Sequence, residues 1–164
     1  MGKKKEKNFK TNAVRIVEGA GIPYELSSYD ASHGFVSGVD AAAKVGIPVE
    51  LCYKTLVTEG ADREYFVFVI PAAEELDLKK AARHFGEKRV EMIHVKDINK
   101  VTGYIKGGCS PVGMKKLYRT AIDQSAEHLP EFYVSAGRVG EQMKLDPRKL
   151  AELVKADFTD LIKD

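Results

Sequence analysis

Apolar residues recur along this chain in two spacings, one typical of helices and the other typical of strands. Spacings of three and four predict helices over 12–20, 38–45, 78–85 and 95–101, and a C-terminal helix opened by Asp146-Pro147. Alternating or continuous apolar runs predict strands over 24–29, 51–58, 64–70, 89–93, 119–123 and 131–136. The run over 64–70 is apolar on both faces, which predicts the central strand of its sheet.

Polar residues at the ends of these patterns indicate where the helices begin. Thr11 and Asp77 have the side chains preferred at an N-cap, and Ser37 with Asp40 fits a capping box. The proline at 147 suits the first position of the last helix, because that position needs no N–H donor.

The order of the elements predicts the fold class. Strands and helices do not alternate regularly, and several strands join through short turns. We therefore expect an α+β fold with a mixed, mostly antiparallel, barrel-like sheet and surrounding helices. Residues 11–164 contain no internal repeat or linker, which predicts a single domain, and residues 1–10 are expected to be a basic, disordered tail.

Composition and length narrow the class of protein. The chain has 164 residues and only two cysteines, which excludes a disulfide-rich scaffold. The spacing of Cys, His, Asp and Glu indicates no metal or cofactor site. The chain has no apolar run of membrane-spanning length and no signal-peptide core, so we expect a cytoplasmic protein without a membrane partner.

Charge is segregated along the chain although the net charge is only +2. Residues 79–119 contain eleven basic and three acidic side chains, whereas residues 11–78 contain four and eleven. One interpretation is a surface that binds a polyanion, and the other is a pair of solvated faces. Sequence alone leaves both interpretations open.

Lys54 is the most suggestive single residue. Strand periodicity places it on one face with Cys52 and Leu56, where an ammonium is costly unless it meets an anion or water. A lysine that extends from a strand end into solvent is the ordinary explanation. The functional alternative is an ammonium held at the floor of a cleft.

A glycine-rich segment at 107–113 is the second candidate. Adjacent glycines allow backbone N–H groups to approach a ligand closely, and such groups can bind an anion or a developing oxyanion. The spacing matches neither a P-loop nor a dinucleotide fingerprint. A plain turn remains the alternative. Cys109 lies here, but no base next to it in sequence indicates a nucleophile.

Several short motifs, in this order, resemble the YbaK/EbsC family over about residues 11–160. They are Thr11-Asn12-Ala13-Val14, Tyr53-Lys54-Thr55-Leu56, Leu76-Asp77-Leu78-Lys79-Lys80-Ala81, Thr102-Gly103-Tyr104, Gly107-Gly108-Cys109-Ser110-Pro111-Val112-Gly113 and Tyr133-Val134-Ser135-Ala136-Gly137. The family is similar to the editing domain of bacterial prolyl-tRNA synthetases. The resemblance implies a trans-acting aminoacyl-tRNA deacylase that removes a wrong amino acid, cysteine above all, from tRNA(Pro).

The resemblance also implies roles for individual residues. Lys54 matches the functional lysine of the family. The implied substrate-binding positions are Tyr29, Gly107, Gly108, Cys109, Ser110, Pro111, Ser135 and Gln142. Several cysteine-removing members have an acidic residue where this chain has Gln142, which accepts a hydrogen bond but cannot neutralise an ammonium.

The implied mechanism needs no protein nucleophile, because the thiol of a cysteinyl substrate attacks its own ester. Backbone N–H groups of the 107–110 loop are expected to hold the ester carbonyl, and Lys54 to fix the terminal phosphate or the ester end. The expected partners are tRNA, read mainly through its backbone, and prolyl-tRNA synthetase, but not DNA.

Three alternatives remain at this stage. The first is a non-catalytic module with the same fold that binds tRNA or a synthetase. Fold alone does not distinguish such a module from an enzyme. A deacylase acting on another small amino acid, such as alanine, is the second. A regulatory role is the third, and the sequence carries nothing for or against it.

Overall fold

The computed structural model describes residues 10–29 and 38–164. Its helices are α1 (Asn12–Gly19), α2 (Gly38–Val45), α3 (Leu78–His84), α4 (Ile98–Thr102) and α5 (Pro147–Val154). Its strands are β1 (Glu25–Ser28), β2 (Tyr53–Glu59), β3 (Tyr65–Pro71), β4 (Glu91–Met92), β5 (Arg119–Asp123), β6 (Phe132–Arg138), β7 (Glu141–Leu145) and β8 (Asp157–Thr159). The basic tail through residue 9 and the Ser37 capping position lie outside the described residues.

The strands form two open sheets, with the orders β1-β7-β6 and β4-β2-β3-β5-β8. β3 is central and buried on both faces, as its apolar run predicts. Four of the six strand pairings are antiparallel, and β5 runs parallel to both of its neighbours. The mixed α+β prediction is therefore confirmed, while the pairings among the described residues do not close a barrel.

Local caps explain why several helices begin where the sequence predicts. The Thr11 hydroxyl accepts from the N–H of Val14, and the Asp77 carboxylate accepts from two N–H groups of α3. Asp146 accepts from the N–H of Arg148 at the start of α5. Each bond satisfies a donor that the first turn of a helix leaves unpaired.

Alternation along β3 divides the core between the two faces of the larger sheet. Phe66, Phe68 and Ile70 pack with α3, whose alanines at 81 and 82 are buried against them. Val69 faces the other way, toward α1, α5 and the smaller sheet. The two sheets thus share a core on one side of β3 and diverge along β2, which is where a cavity forms.

Candidate active site

A cavity of about 380 Å³ lies along the edge of β2. β4 pairs with β2 only at Thr58 and Glu59, and an isolated bridge joins Cys52 to Tyr133 of β6. Between these contacts, residues 53–56 have no strand partner on this edge within the described part of the chain. The cavity fills the gap that remains between the two sheets.

One end of the cavity is polar. We call Tyr29, Lys54, Thr55, Ser135 and Gln142 its polar end, and all five line the cavity. Continuing the parallel Cys52–Tyr133 bridge by two residues in each strand brings Lys54 level with Ser135. Ser135 is in turn the register partner of Gln142 in the β6–β7 hairpin. Residues from three strands therefore converge on one volume.

Lys54 provides the positive charge of the polar end. It is half-buried, and this burial lowers its pKa. The negative charges of Glu75 and Glu74 have the opposite and smaller effect on that pKa. Among residues 10–29 and 38–164 its ammonium has no ion-pair partner within 4.0 Å. A half-buried cation without a carboxylate against it is suited to bind an anionic or strongly polar group of a ligand.

Two acceptors of the polar end have unused hydrogen-bonding capacity. The Thr55 hydroxyl oxygen and the Gln142 side-chain oxygen are buried and have no hydrogen-bond partner in the described structure. Such groups are rare in native proteins, because burying them unpaired costs free energy. Both residues line the same cavity, although neither oxygen is exposed to solvent, so a ligand donor reaches them only when the side chain turns toward the cavity. Gln142 was predicted, whereas no sequence signal separates Thr55 from an ordinary strand threonine.

The glycine-rich loop contributes one wall through Gly107 and Cys109. Gly107 adopts a φ of +86°, the left-handed region that favours glycine. No hydrogen bond in the described part of the chain uses the N–H groups of Gly107 and Cys109. The N–H of Gly108 instead donates to the carbonyl of Ile105 at 2.9 Å, so it is not available for a substrate oxygen.

Three predicted substrate-binding residues do not line the cavity. Gly108, Ser110 and Pro111 are buried, and the Ser110 hydroxyl accepts from the N–H of Val112 at 3.2 Å. A Cβ on Gly108 would lie 2.9 Å from the backbone nitrogen of Val139. These three residues shape the loop and hold it against the β6–β7 turn, and their predicted contact with a substrate stays a prediction.

The Cys109 thiol of the same loop belongs to a partly buried side chain. Burial raises its pKa to about 11, so it is protonated at neutral pH. A protonated thiol is a weak nucleophile, and the residue packs against Val57 and Val101 as a small apolar side chain.

The other end of the cavity is apolar, and sequence reasoning missed it. We call Met92, Ile93, Val95 and Ile98 the apolar end; all four line the cavity. Met92 and Val95 are 43% and 57% exposed, which is high for large apolar side chains. β4 is only two residues long, so its pattern alone could not show that it faces a site.

Exposed lysines surround this apolar end. Lys96 precedes α4, Lys100 lies within it, and Lys106 lines the cavity beside the glycine-rich loop. The N–H of Lys115 donates to the carbonyl of Thr102, which brings the 115–116 lysine pair next to the same helix. Part of the basic block thus lies on or next to the segment that carries the apolar end, and Lys106 of that block lines the cavity.

Comparison with known proteins identifies the class to which this fold and cavity belong. Residues 35–153 match the model of the aminoacyl-tRNA editing domain family. That match covers most of the chain, and the chain belongs to this family. The predicted family and the predicted class of enzyme, an aminoacyl-tRNA deacylase, are therefore confirmed.

Individual relatives agree with this assignment. The chain is 42% identical over 161 residues to a protein of Enterococcus faecalis named "Putative Cys-tRNA(Pro)/Cys-tRNA(Cys) deacylase EbsC", covering 98% of both chains. A solved structure described as "a putative trans-editing enzyme for prolyl tRNA synthetase" superposes with a TM-score of 0.81 at 25% identity, over 95% of this chain and 99% of that one. A hypothetical protein at 21% identity shares the fold, with a TM-score of 0.84 over 93% of this chain and all of the other.

The described α-helices have at most eight residues. None of them, within residues 10–29 and 38–164, is long and apolar enough to cross a bilayer.

Proposed function

We propose that this protein removes cysteine from mischarged tRNA(Pro), acting in trans, with the acylated end of the tRNA in the β2-edge cavity. The observation that carries the proposal is that one cavity is lined by Lys54, by Gly107 and Cys109 of the loop, and by the two residues whose buried oxygens have no partner in the described structure, Thr55 and Gln142. The relative named as a Cys-tRNA(Pro)/Cys-tRNA(Cys) deacylase supports cysteine as the amino acid.

Each group at the polar end has a chemical counterpart on such a substrate. The Gln142 oxygen accepts from the α-amino group of the aminoacyl ester, and the Thr55 hydroxyl lies beside it to bind a second polar group. The N–H groups of Gly107 and Cys109 donate to the ester carbonyl as negative charge develops on it. Lys54 binds the terminal phosphate or the ester end of the nucleotide.

The reaction then proceeds without a protein nucleophile. The substrate sulfur, once deprotonated, forms a bond to its own ester carbonyl carbon, and the bond from that carbon to the ribose oxygen breaks. The ribose oxygen takes a proton, which leaves uncharged tRNA and a cyclic thioester of cysteine that water opens. The protein contributes orientation and stabilisation of the oxyanion, which suffice for an ester that is already activated.

A deacylation panel tests this proposal. Purified protein is incubated with Cys-, Ala- and Ser-tRNA(Pro) and with Cys-tRNA(Cys), and loss of the ester is followed against buffer. We expect Cys-tRNA(Pro) to be lost fastest. Preferential loss of Ala-tRNA(Pro) would replace cysteine by alanine as the substrate. If all four esters last as long as in buffer while the protein binds tRNA, the non-catalytic binding module is correct.

A further inference from the structure

The apolar end of the cavity has no task in the chemistry of the ester. We propose that it binds the terminal nucleobase of the substrate tRNA, with Met92, Val95 and Ile98 against the face of the base. This inference rests on the proposed function and assigns the half of the cavity that the reaction leaves unused.

The separation of the two ends supports this assignment. Met92 is the register partner of Thr58, four residues along β2 from Lys54, which is about 13 Å at the usual rise of a strand. The amino acid and the ester occupy the polar end. The nucleoside that carries the ester extends away from it, and the cavity continues along the edge of β2 toward Met92.

Exposure distinguishes a nucleobase from an apolar amino-acid side chain as the occupant. A pocket that selects an amino-acid side chain can be closed, whereas the nucleotide end must open to solvent because the RNA continues from it. The apolar end is the open one, since Val95 is 57% exposed and Met92 is 43% exposed. Large apolar side chains at a cavity mouth offer a flat surface that every base face can contact regardless of sequence.

Charge at this mouth fits a nucleic acid strand. Lys96 follows Val95 directly, Lys100 lies in α4, and Lys106 lines the cavity beside them. Of the acidic side chains nearby, Asp97 lies 4.0 Å from Lys100 and offsets part of its charge, and Glu91 lies 2.6 Å from Arg89. Proteins bind single-stranded RNA by combining a basic surface with side chains that contact the faces of the bases, and here aliphatic side chains provide that contact.

The experiment measures binding directly, so it does not depend on deacylation. AMP and ribose 5-phosphate are titrated into the full chain, and methyl signals are followed by NMR. We expect AMP to shift the methyl groups of Met92, Val95 and Ile98. Ribose 5-phosphate should shift only those near Lys54, such as Thr55 and Ala72, which also line the cavity.

Two matched variants complete the test. Val95→Asn removes an exposed apolar side chain at the mouth and should weaken AMP about fivefold without changing ribose 5-phosphate. Leu78→Asn makes the same kind of change at an exposed position of α3 that does not line the cavity, and should leave both affinities unchanged. In deacylation, Val95→Asn should raise KM with little change in kcat.

Several results would overturn the nucleobase assignment. They are an AMP titration that shifts no methyl group of the apolar end, identical shift patterns for the two ligands, or an unchanged AMP affinity in Val95→Asn. A variant that alters the preference between Cys and Ala esters, but not AMP binding, would assign the apolar end to the amino acid instead. Failure of deacylation with AMP bound as expected would refute the proposed function alone.

Discussion

Two lysines, one in each sheet, show how the cavity differs from the rest of the protein. Lys144 of β7 lies 3.2 Å from Glu25 and 3.4 Å from Glu131, and the hydrogen bond to Glu25 raises its pKa. Lys54 of β2 is half-buried, its pKa is lowered by burial, and no described carboxylate pairs with it. The protein thus satisfies one lysine internally and leaves the other for something outside the chain.

Buried side-chain oxygens also divide into those with a hydrogen-bond partner inside the protein and those without one. The buried hydroxyl of Thr58 donates to the carbonyl of Phe66, and the Asp123 carboxylate accepts from the N–H of Leu161. At the polar end of the cavity, the oxygens of Thr55 and Gln142 have no partner in the described structure. Among the described residues, the buried side-chain oxygens without a partner both belong to residues that line this cavity, which is where we expect a ligand to bind.

The largest effect is expected from removing the unpaired lysine. Lys54→Met should lower kcat/KM for Cys-tRNA(Pro) by about 10²–10³-fold, because the variant loses the only cation of the polar end as defined here. Lys144→Met is the matched control and should keep activity within about twofold, with a small loss of thermal stability. Equal losses in both variants, measured by single-turnover deacylation, would remove the distinction between the two lysines.

A steric change next to the loop should have the second largest effect. Gly108→Ala places a Cβ 2.9 Å from the Val139 nitrogen and 3.0 Å from the Arg138 carbonyl carbon, so the loop must shift. Displaced N–H groups at 107 and 109 should cost about 10²-fold in kcat. Gly19→Ala, where a Cβ meets open space, should keep full activity. Full activity in Gly108→Ala would show that the loop does not hold the reacting carbonyl.

Changing the unpaired amide should have a smaller effect. Gln142→Leu removes the acceptor proposed for the α-amino group and should raise KM for Cys-tRNA(Pro) about tenfold. Gln142→Glu keeps an acceptor and adds a negative charge, so it should bind the ammonium form of the substrate more tightly at neutral pH. If Gln142→Leu keeps the KM of the unmodified protein, the amine is bound elsewhere.

The pH dependence should show the smallest effect. Deprotonation of the substrate thiol makes the rate rise with pH, and loss of the Lys54 proton makes it fall again. Because burial lowers the Lys54 pKa, the falling limb should lie below pH 10.5, the ordinary value for a lysine. Rates corrected for hydrolysis in buffer would contradict this if they rose steadily through pH 10.5.

Local signals explain which parts of the fold could be predicted. The caps at Thr11, Asp77 and Asp146 and the apolar run of β3 depend on residues close in sequence, and the structure confirms them. β7 and β8 were missed: β8 has only three residues and pairs with the distant β5, whereas β7 pairs both with β6 in a hairpin and with the distant β1. The division into two sheets is likewise a long-range property that a local pattern does not contain.

The candidate site, like the fold, could be predicted only in part from the sequence. The resemblance led to Lys54, Gln142 and the glycine-rich loop, and these positions do line or shape one cavity. It included Thr55 in a motif without giving it a role, because an unpaired oxygen depends on what surrounds it in space. Its placement of Ser110 at the substrate stays a prediction, and the structure adds that the Ser110 hydroxyl accepts a hydrogen bond within the loop.

A structure with a hydrolysis-resistant analogue of the tRNA end tests the central claim most directly. In 3′-cysteinylamido-3′-deoxyadenosine 5′-monophosphate, an amide replaces the ester. We predict its amino group within hydrogen-bond distance of the Gln142 side-chain oxygen, its carbonyl at the N–H groups of 107 and 109, and its phosphate or ribose near the Lys54 ammonium. An analogue bound outside the β2-edge cavity, or a Lys54 ammonium directed away from it, would contradict the account.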